Sequence, residues 1–178
     1  MKNDIKEIII QEEEVLAKIK ELSKKISDDY KDKNLLVVGI LKGSVIFASD
    51  LMKNIEIPCE IDFMAVSSYG NASETSGVVR ILKDLDHSIE GKDIIIVEDI
   101  IDSGVTLDYL TKYLKGRNVN SVKIAALLSK PSRRKVDIDV EYLGFEVPDE
   151  FIVGYGLDFA EKYRNLPYVA VLKEEVYK

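Results

Sequence analysis

The chain has 178 residues, 46% of them hydrophobic and 32% charged, and this composition fits one globular domain and argues against disorder. Its net charge of −7 argues against a general nucleic-acid binder, and its single cysteine and single histidine exclude a disulfide framework and disfavour a Cys/His metal site. The N-terminal residues do not resemble a signal peptide and no apolar run approaches the ~20 residues of a membrane span, so the sequence predicts a cytoplasmic protein without a membrane partner.

In chain order, the first half alternates between helical and strand patterns. Apolar residues spaced by three and four predict a helix over residues 12–30. The continuous apolar run at 35–41 predicts a buried strand, and a helix with almost no polar face follows at 44–53. Another strand is predicted at 59–66. The serines, glycines, asparagine and threonine of residues 67–77 then predict a flexible loop.

The second half continues the alternation. The predicted strands are residues 78–82, 94–97, 122–128, 141–145, 151–153 and 168–172, and the predicted helix is 104–115. Apolar strands that alternate with helices predict an α/β fold, in which a parallel sheet is covered by helices on both faces. The N-terminal helix and the C-terminal strands do not fit this alternation, so we expect a small cap, or hood, from the terminal segments. No linker interrupts the chain, and residues 1–178 are expected to form one domain.

The segment 94–107, which reads IIIVEDIIDSGVTL, carries the most informative pattern. A buried strand leads into Glu98 and Asp99, Asp102 follows, and the next residues open a helix. The carboxyl end of a parallel strand is where α/β folds place ligands. The amides of residues 102–106 and the helix N-terminus can cradle a phosphate. Glu98 and Asp99 can accept from the hydroxyls of a ribose or hold a magnesium ion. Taken singly, each acid could instead be a solvated residue at a strand end.

This segment resembles the phosphoribosyl-pyrophosphate motif of the type I phosphoribosyltransferases, and four further segments narrow the resemblance to the hypoxanthine-guanine phosphoribosyltransferases. Residues 38–44 are similar to the family's pyrophosphate loop, 67–70 to the start of its mobile lid, Lys130-Pro131 to its purine-recognition lysine, and 144–167 to its C-terminal signature. Val105 stands where some members carry Lys, and Ser103 where many carry Thr. Binding there is mainly through backbone amides, so neither departure changes the interpretation. The short chain is similar to the compact bacterial members.

The resemblance implies a purine-salvage enzyme that transfers the 5-phosphoribosyl group from phosphoribosyl pyrophosphate to hypoxanthine or guanine, giving IMP or GMP and pyrophosphate, with Mg²⁺ as cofactor. The residues implied for binding phosphoribosyl pyrophosphate are Lys42, Gly43, Glu98, Asp99, Asp102, Ser103, Gly104, Val105, Thr106 and Arg164. Those implied for the purine are Lys130, Phe151, Ile152 and Asp158. Glu98, Asp99 and Asp158 would hold magnesium, Asp102 would exchange a proton with the base, and Ser68 and Tyr69 would belong to the lid.

Two alternatives stay open at this point. A regulator or RNA-binding protein can keep this fold, although the negative net charge opposes binding to a phosphate backbone. An enzyme for another base is the second alternative. The context of Lys130 disfavours adenine and pyrimidines but separates hypoxanthine, guanine and xanthine poorly. Members of the family are dimers or tetramers, so the resemblance implies one of these assemblies. Whether the peptide bond before Lys42 is cis, as in many members, does not follow from the sequence.

Overall fold

The computed structural model describes residues 1–68 and 79–178. Its strands are β1 (Ile5–Ile10), β2 (Leu35–Leu41), β3 (Cys59–Ser68), β4 (Val79–Lys83), β5 (Asp93–Ile101), β6 (Ser121–Ser129), β7 (Tyr142–Glu146), β8 (Ile152–Val153) and β9 (Val169–Leu172). Its α-helices are α1 (Glu12–Asp29), α2 (Val45–Asn54), α3 (Val105–Lys115) and α4 (Glu174–Tyr177). The predicted loop at 67–77 begins inside β3, and the rest of it lies outside the described residues.

The main sheet has six strands in the order β4-β3-β2-β5-β6-β7. All neighbours in it are parallel except β3 and β4, which are antiparallel. Strand β5 lies in the middle of the sheet and shows why the strands are continuous apolar runs in the sequence. Its Ile95 and Val97 pack with α1 and α2, whereas Ile94 and Ile96 pack with α3 on the opposite face. The prediction of a mainly parallel sheet covered on both faces is therefore confirmed, with one antiparallel edge strand.

A second sheet of three antiparallel strands, in the order β1-β9-β8, forms the hood. The prediction of a hood from both terminal segments is confirmed in outline, but the assignment of the N-terminal helix to it is wrong. Helix α1 packs against α2 and β7 in the main core, because its buried stripe of Val15, Ile19, Leu22 and Ile26 matches the apolar face of the sheet. Strand β1, which the sequence analysis did not predict, supplies the N-terminal part instead. None of the helices in the described parts of the chain is long and apolar enough to cross a membrane.

Candidate active site

The loop between β5 and α3 lies at the carboxyl edge of the main sheet, as predicted. Gly104 stands at the N-cap position of α3 with φ of 81°, and no side chain caps the helix there. This positive φ favours glycine, and a Cβ atom there would also come within 3.1 to 3.3 Å of the side chains of Ile138, Val136 and Arg134. Ser103 Oγ accepts from the amide of Val105 at 3.3 Å. The first turn of α3 thus presents backbone amides that can bind an anion.

Residues 134–136, which the sequence analysis did not single out, pack against this loop. The amides of Lys135 and Val136 donate to the carbonyl oxygen of Ser103 at 2.9 and 3.4 Å. Arg134 lies beneath Gly104 and donates from Nη2 to Ser129 Oγ at 2.7 Å. In the sequence, the only signal was the basic run at 133–135, which is typical of an exposed patch.

Glu98 and Asp99 lie within β5 rather than after it, because the strand continues to Ile101. Burial raises the pKa of Glu98 well above its usual value, and the neighbouring negative charge of Asp99 raises it further. Burial also raises the pKa of Asp99, although Asp99 Oδ1 accepts from the amide of Ile100 at 2.7 Å. The two acids therefore form a poorly solvated pair, whose charge a cation would stabilise.

The turn after β2 contacts this acidic pair. The Leu41-Lys42 peptide bond is cis. A Cβ atom on Gly43 would lie 1.7 Å from Asp99 Oδ2, so the absence of a side chain lets the turn touch the carboxylate. On the other side, a Cβ atom on Gly156 would lie 2.1 Å from the carbonyl oxygen of Gly43. The turn at Gly43 is thus enclosed between β5 and the C-terminal signature.

The C-terminal signature holds Arg164 in a fixed position next to that turn. Arg164 Nη1 donates to the carbonyl oxygen of Gly156 at 2.8 Å, and Arg164 Nη2 lies 3.0 Å from Asp158 Oδ1. Asp158 Oδ2 accepts from the amide of Glu161 at 2.8 Å. Glu161 also contacts Lys42, with 3.0 Å between Lys42 Nζ and Glu161 Oε2. Two cations predicted to bind pyrophosphate therefore lie at one place, together with a carboxylate that the sequence analysis did not assign.

Of the residues predicted to bind the purine, Lys130 lies beside the loop between β5 and α3, because its amide donates to the carbonyl oxygen of Ile101 at 2.9 Å. Lys130 is only 7% exposed, so it is not an ordinary surface lysine, and it donates to the carbonyl oxygen of Glu150 at 2.8 Å. Its Nζ lies 3.8 Å from Asp102 Oδ1, which is buried and has no hydrogen-bond partner among the described residues. Burial lowers the pKa of Lys130, while the charge of Asp102 opposes that shift. Together, the ammonium group and the unpaired carboxylate oxygen offer a donor and an acceptor to a ligand.

Phe151 follows directly after Glu150 and belongs to an aromatic cluster. Its ring stacks on Tyr177 with centroids 4.7 Å apart, and it meets Phe159 at 90° with centroids 5.4 Å apart. The side chain of Ile152 is buried in β8, so only its backbone is available to a ligand. Of the two residues predicted for the lid, Ser68 ends β3 and Tyr69 lies outside the described residues.

The donor set agrees with magnesium better than with a metal that needs a full protein cage. Within residues 1–68 and 79–178, no group of three or more His, Cys, Asp or Glu side chains is placed to hold a metal ion. Glu98 and Asp99 offer oxygen ligands only. Mg²⁺ is commonly bound by one or two carboxylates, with substrate phosphates and water completing its shell. The two carboxylates at the end of β5 fit this requirement.

The comparisons with known proteins agree with these observations. A family model described as the phosphoribosyl transferase domain matches residues 7–160. The chain is 55% identical over 178 residues to the hypoxanthine-guanine phosphoribosyltransferase of Bacillus subtilis. The alignment covers 100% of this chain and 99% of the relative. A crystal structure of a hypoxanthine phosphoribosyltransferase from Staphylococcus aureus matches with a TM-score of 0.97 and 53% identity, over 100% of this chain and 97% of that chain. The hypoxanthine phosphoribosyl transferase of Trypanosoma cruzi matches with a TM-score of 0.93 and 40% identity, over 97% and 94% of the two chains.

These matches cover both the main sheet and the hood, so they extend beyond the short motifs on which the sequence resemblance was based. The relatives are enzymes, and their identity to this chain is spread over its full length. The family resemblance predicted from the sequence is confirmed. The chain is an enzyme of the phosphoribosyl transferase family and belongs to the hypoxanthine-guanine phosphoribosyltransferases within it.

Proposed function

We propose that this enzyme transfers the 5-phosphoribosyl group from phosphoribosyl pyrophosphate to N9 of hypoxanthine or guanine, and so serves purine salvage. The observation that carries the proposal is the meeting of three chemical groups at one edge of the sheet. These are the acidic pair Glu98 and Asp99, the turn at Gly43, and the donor–acceptor pair of Lys130 and Asp102. They match the ribose, the leaving pyrophosphate and the purine.

On the leaving-group side, the residues would neutralise a growing negative charge. Lys42 and Arg164 would contact the pyrophosphate, and the planar guanidinium of Arg164 suits bidentate binding of phosphate oxygens. The backbone amides of residues 102–106 would bind the 5′-phosphate. Glu98 and Asp99 would hold magnesium, which when bound supplies positive charge to the pyrophosphate oxygens. Asp158 is the proposed ligand of a second magnesium ion. This stabilisation counts because the transition state develops charge where these fixed groups already point.

On the purine side, Lys130 would donate to the 6-oxo group after releasing the carbonyl oxygen of Glu150. Asp102 Oδ1, which has no partner in the free protein, would exchange a proton with the imidazole ring of the base. Backbone carbonyls near Ile152 and Asp158 would accept from a 2-amino group. The purine would stack on Phe151, and since Tyr177 covers one face of that ring, the base would use the opposite face.

Three further parts of the proposal come from the sequence and the resemblance. A lid that includes Ser68 and Tyr69 would cover the pyrophosphate and exclude water during the reaction. We also infer one domain over residues 1–178, a homodimer or homotetramer, and a cytoplasmic location without nucleic-acid or membrane partners.

The experiment that tests the function is a panel of bases. The enzyme is incubated with phosphoribosyl pyrophosphate, magnesium and one of hypoxanthine, guanine, xanthine or adenine, and the nucleotide formed is measured. The proposal expects turnover of hypoxanthine and guanine and at least a tenfold lower efficiency with adenine, because two hydrogen-bond donors would then face each other at Lys130. No turnover of any base, together with tight RNA binding, would support the regulator alternative and refute the proposal.

A further inference from the structure

We propose that Glu161 competes with the pyrophosphate group for Lys42 and Arg164, so that it weakens the binding of phosphoribosyl pyrophosphate and speeds the release of product pyrophosphate. This inference deepens the proposed function and rests on it for the place where pyrophosphate binds. It assigns a role to a carboxylate that lies next to the cations of an anion-binding site, where its negative charge repels the anionic ligand.

The geometry places one carboxylate against both cations. Glu161 Oε2 lies 3.0 Å from Lys42 Nζ, and Glu161 Oε1 lies 3.4 Å from Arg164 Nη2. Lys42 and Glu161 are 119 residues apart in the chain, so the contact joins the turn after β2 to the C-terminal signature. An anion that binds both cations therefore meets this carboxylate, which either moves away from them or stays nearby as a like charge.

The backbone around Glu161 holds it at this place. Ala160 and Glu161 both adopt left-handed conformations, with φ of 50° and 62°, which residues other than glycine rarely do. The turn is closed by reciprocal hydrogen bonds between Phe159 and Lys162 at 3.0 and 3.1 Å. The amide of Glu161 donates to Asp158 Oδ2 at 2.8 Å. Strained conformations of this kind persist where the surrounding structure imposes them, and they are common at functional sites.

The contact is easy to break, as a competitor of a substrate has to be. The side chains of Lys42 and Glu161 are 67% and 65% exposed, so water screens the ion pair and it contributes little to folding. Pyrophosphate carries several negative charges and gains more from the same cations. Arg164 also contacts the carbonyl oxygen of Gly156 and the carboxylate of Asp158, and neither contact involves Glu161. Replacing Glu161 by Gln therefore removes the competing charge and leaves the arginine in position.

The test measures binding of magnesium pyrophosphate to the full chain by calorimetry, for the wild type, Glu161→Gln and the control Glu174→Gln. Glu174 is 68% exposed and pairs with Lys178 at 2.8 Å, so the control removes a matched ion pair at the C-terminus. We expect Glu161→Gln to bind pyrophosphate about three- to tenfold more tightly, as the loss of one nearby like charge in water predicts. The control is expected to match the wild type. The gain should shrink as salt is added, because salt screens exposed charges.

Kinetics give a second readout that a purely structural residue would not change in this direction. The KM for phosphoribosyl pyrophosphate should fall in Glu161→Gln, and pyrophosphate should become a stronger product inhibitor by a similar factor. Equal affinity for pyrophosphate in all three proteins, or weaker binding by Glu161→Gln, would overturn the inference while the enzyme still turned over hypoxanthine. Absence of pyrophosphate binding in every protein, with no transfer to any base, would contradict the proposed function itself.

Discussion

The hydrogen bond between Tyr155 and Asp50 offers the sharpest test of how the site is held together. The hydroxyl of Tyr155 donates to Asp50 Oδ2, and the tyrosine is only 4% exposed. Asp50 lies in α2, the helix that begins just after the turn at Gly43, and Tyr155 directly precedes Gly156, which touches that turn. The bond therefore ties together the two segments that enclose Gly43, and its loss should let them separate.

The magnitude follows from the burial and the charge of the partners. A hydrogen bond to a charged group contributes about 1.5–3 kcal/mol to folding. The side chain of Asp50 is 22% exposed and also contacts Lys53 at 3.0 Å, so it stays partly solvated when the hydroxyl is removed. We therefore expect Tyr155→Phe to lower the free energy of unfolding by about 1.5–2 kcal/mol, near the lower end of that range. If most of this free energy is lost from the positioning of the turn at Gly43, the KM for phosphoribosyl pyrophosphate rises about tenfold.

A second tyrosine–aspartate hydrogen bond, which lies away from the carboxyl ends of the strands, provides a matched control. The hydroxyl of Tyr142 donates to Asp29 Oδ2 at 2.7 Å, and Tyr142 is 1% exposed. Tyr142 begins β7, whereas the candidate site lies at the carboxyl ends of the strands. Burial and the neighbouring carboxylate raise the pKa of both tyrosines, so both hydroxyls are protonated donors at neutral pH. Tyr142→Phe should cost similar stability without changing the KM.

Urea unfolding and steady-state kinetics on the two variants test whether the Tyr155–Asp50 hydrogen bond positions the turn. The reasoning predicts similar losses of unfolding free energy, with a rise in KM only for Tyr155→Phe. A KM that rises equally in both variants would mean that general loosening is responsible. An unchanged KM in Tyr155→Phe, with the expected loss of stability, would refute the idea that this bond positions the turn at Gly43.

Three further predictions concern the chemistry. Asp102→Asn keeps the shape but removes the proton acceptor, so kcat should fall by about 10²–10⁴-fold with little change in the binding of phosphoribosyl pyrophosphate, and an unchanged kcat under rate-limiting chemistry would remove Asp102 from the mechanism. Burial lowers the pKa of Lys130, so its ammonium donor is lost as pH rises through a value below that of an ordinary lysine. The kcat/KM for hypoxanthine should therefore decline at alkaline pH. Lys130→Gln should abolish this decline and bring the kcat/KM for hypoxanthine closer to that for adenine. If the decline persists in the variant, another group is responsible for it. Chelation should abolish activity and magnesium should restore it without zinc, because the proposed ligands are all oxygens, whereas full activity in excess chelator would contradict the site at Glu98 and Asp99.

The sequence predicted best where buried residues form either a continuous run or a regularly spaced stripe. The bounds of β2 and the start of α1 agree with the structure because one is apolar on both faces and the other carries a regular stripe. Strand β1 was missed because its burial is uneven: Ile8 is 40% exposed, and the register with β9 is interrupted twice. Helix α4 has only four residues and no buried side chain, so no periodicity could reveal it.

Within the site, the predicted residues came from short motifs that are each contiguous in the chain, whereas the residues that support them did not. The packing of Arg134 under Gly104 depends on the path of the loop after β6, which no local pattern specifies. The contact between Glu161 and Lys42 depends on a fold that joins distant segments. Burial of Lys130 was hidden for the same reason, since its partner is a backbone carbonyl at Glu150.

The central claim is that this enzyme forms a purine nucleotide from phosphoribosyl pyrophosphate and a 6-oxopurine. The most direct measurement is quantitation of IMP and pyrophosphate formed from hypoxanthine and phosphoribosyl pyrophosphate in the presence of magnesium, with Asp102→Asn beside the wild type. The account predicts the two products in equal amounts, at a rate that the variant lowers by about 10²–10⁴-fold. Pyrophosphate released without IMP, or no product from the folded wild-type enzyme, would contradict it.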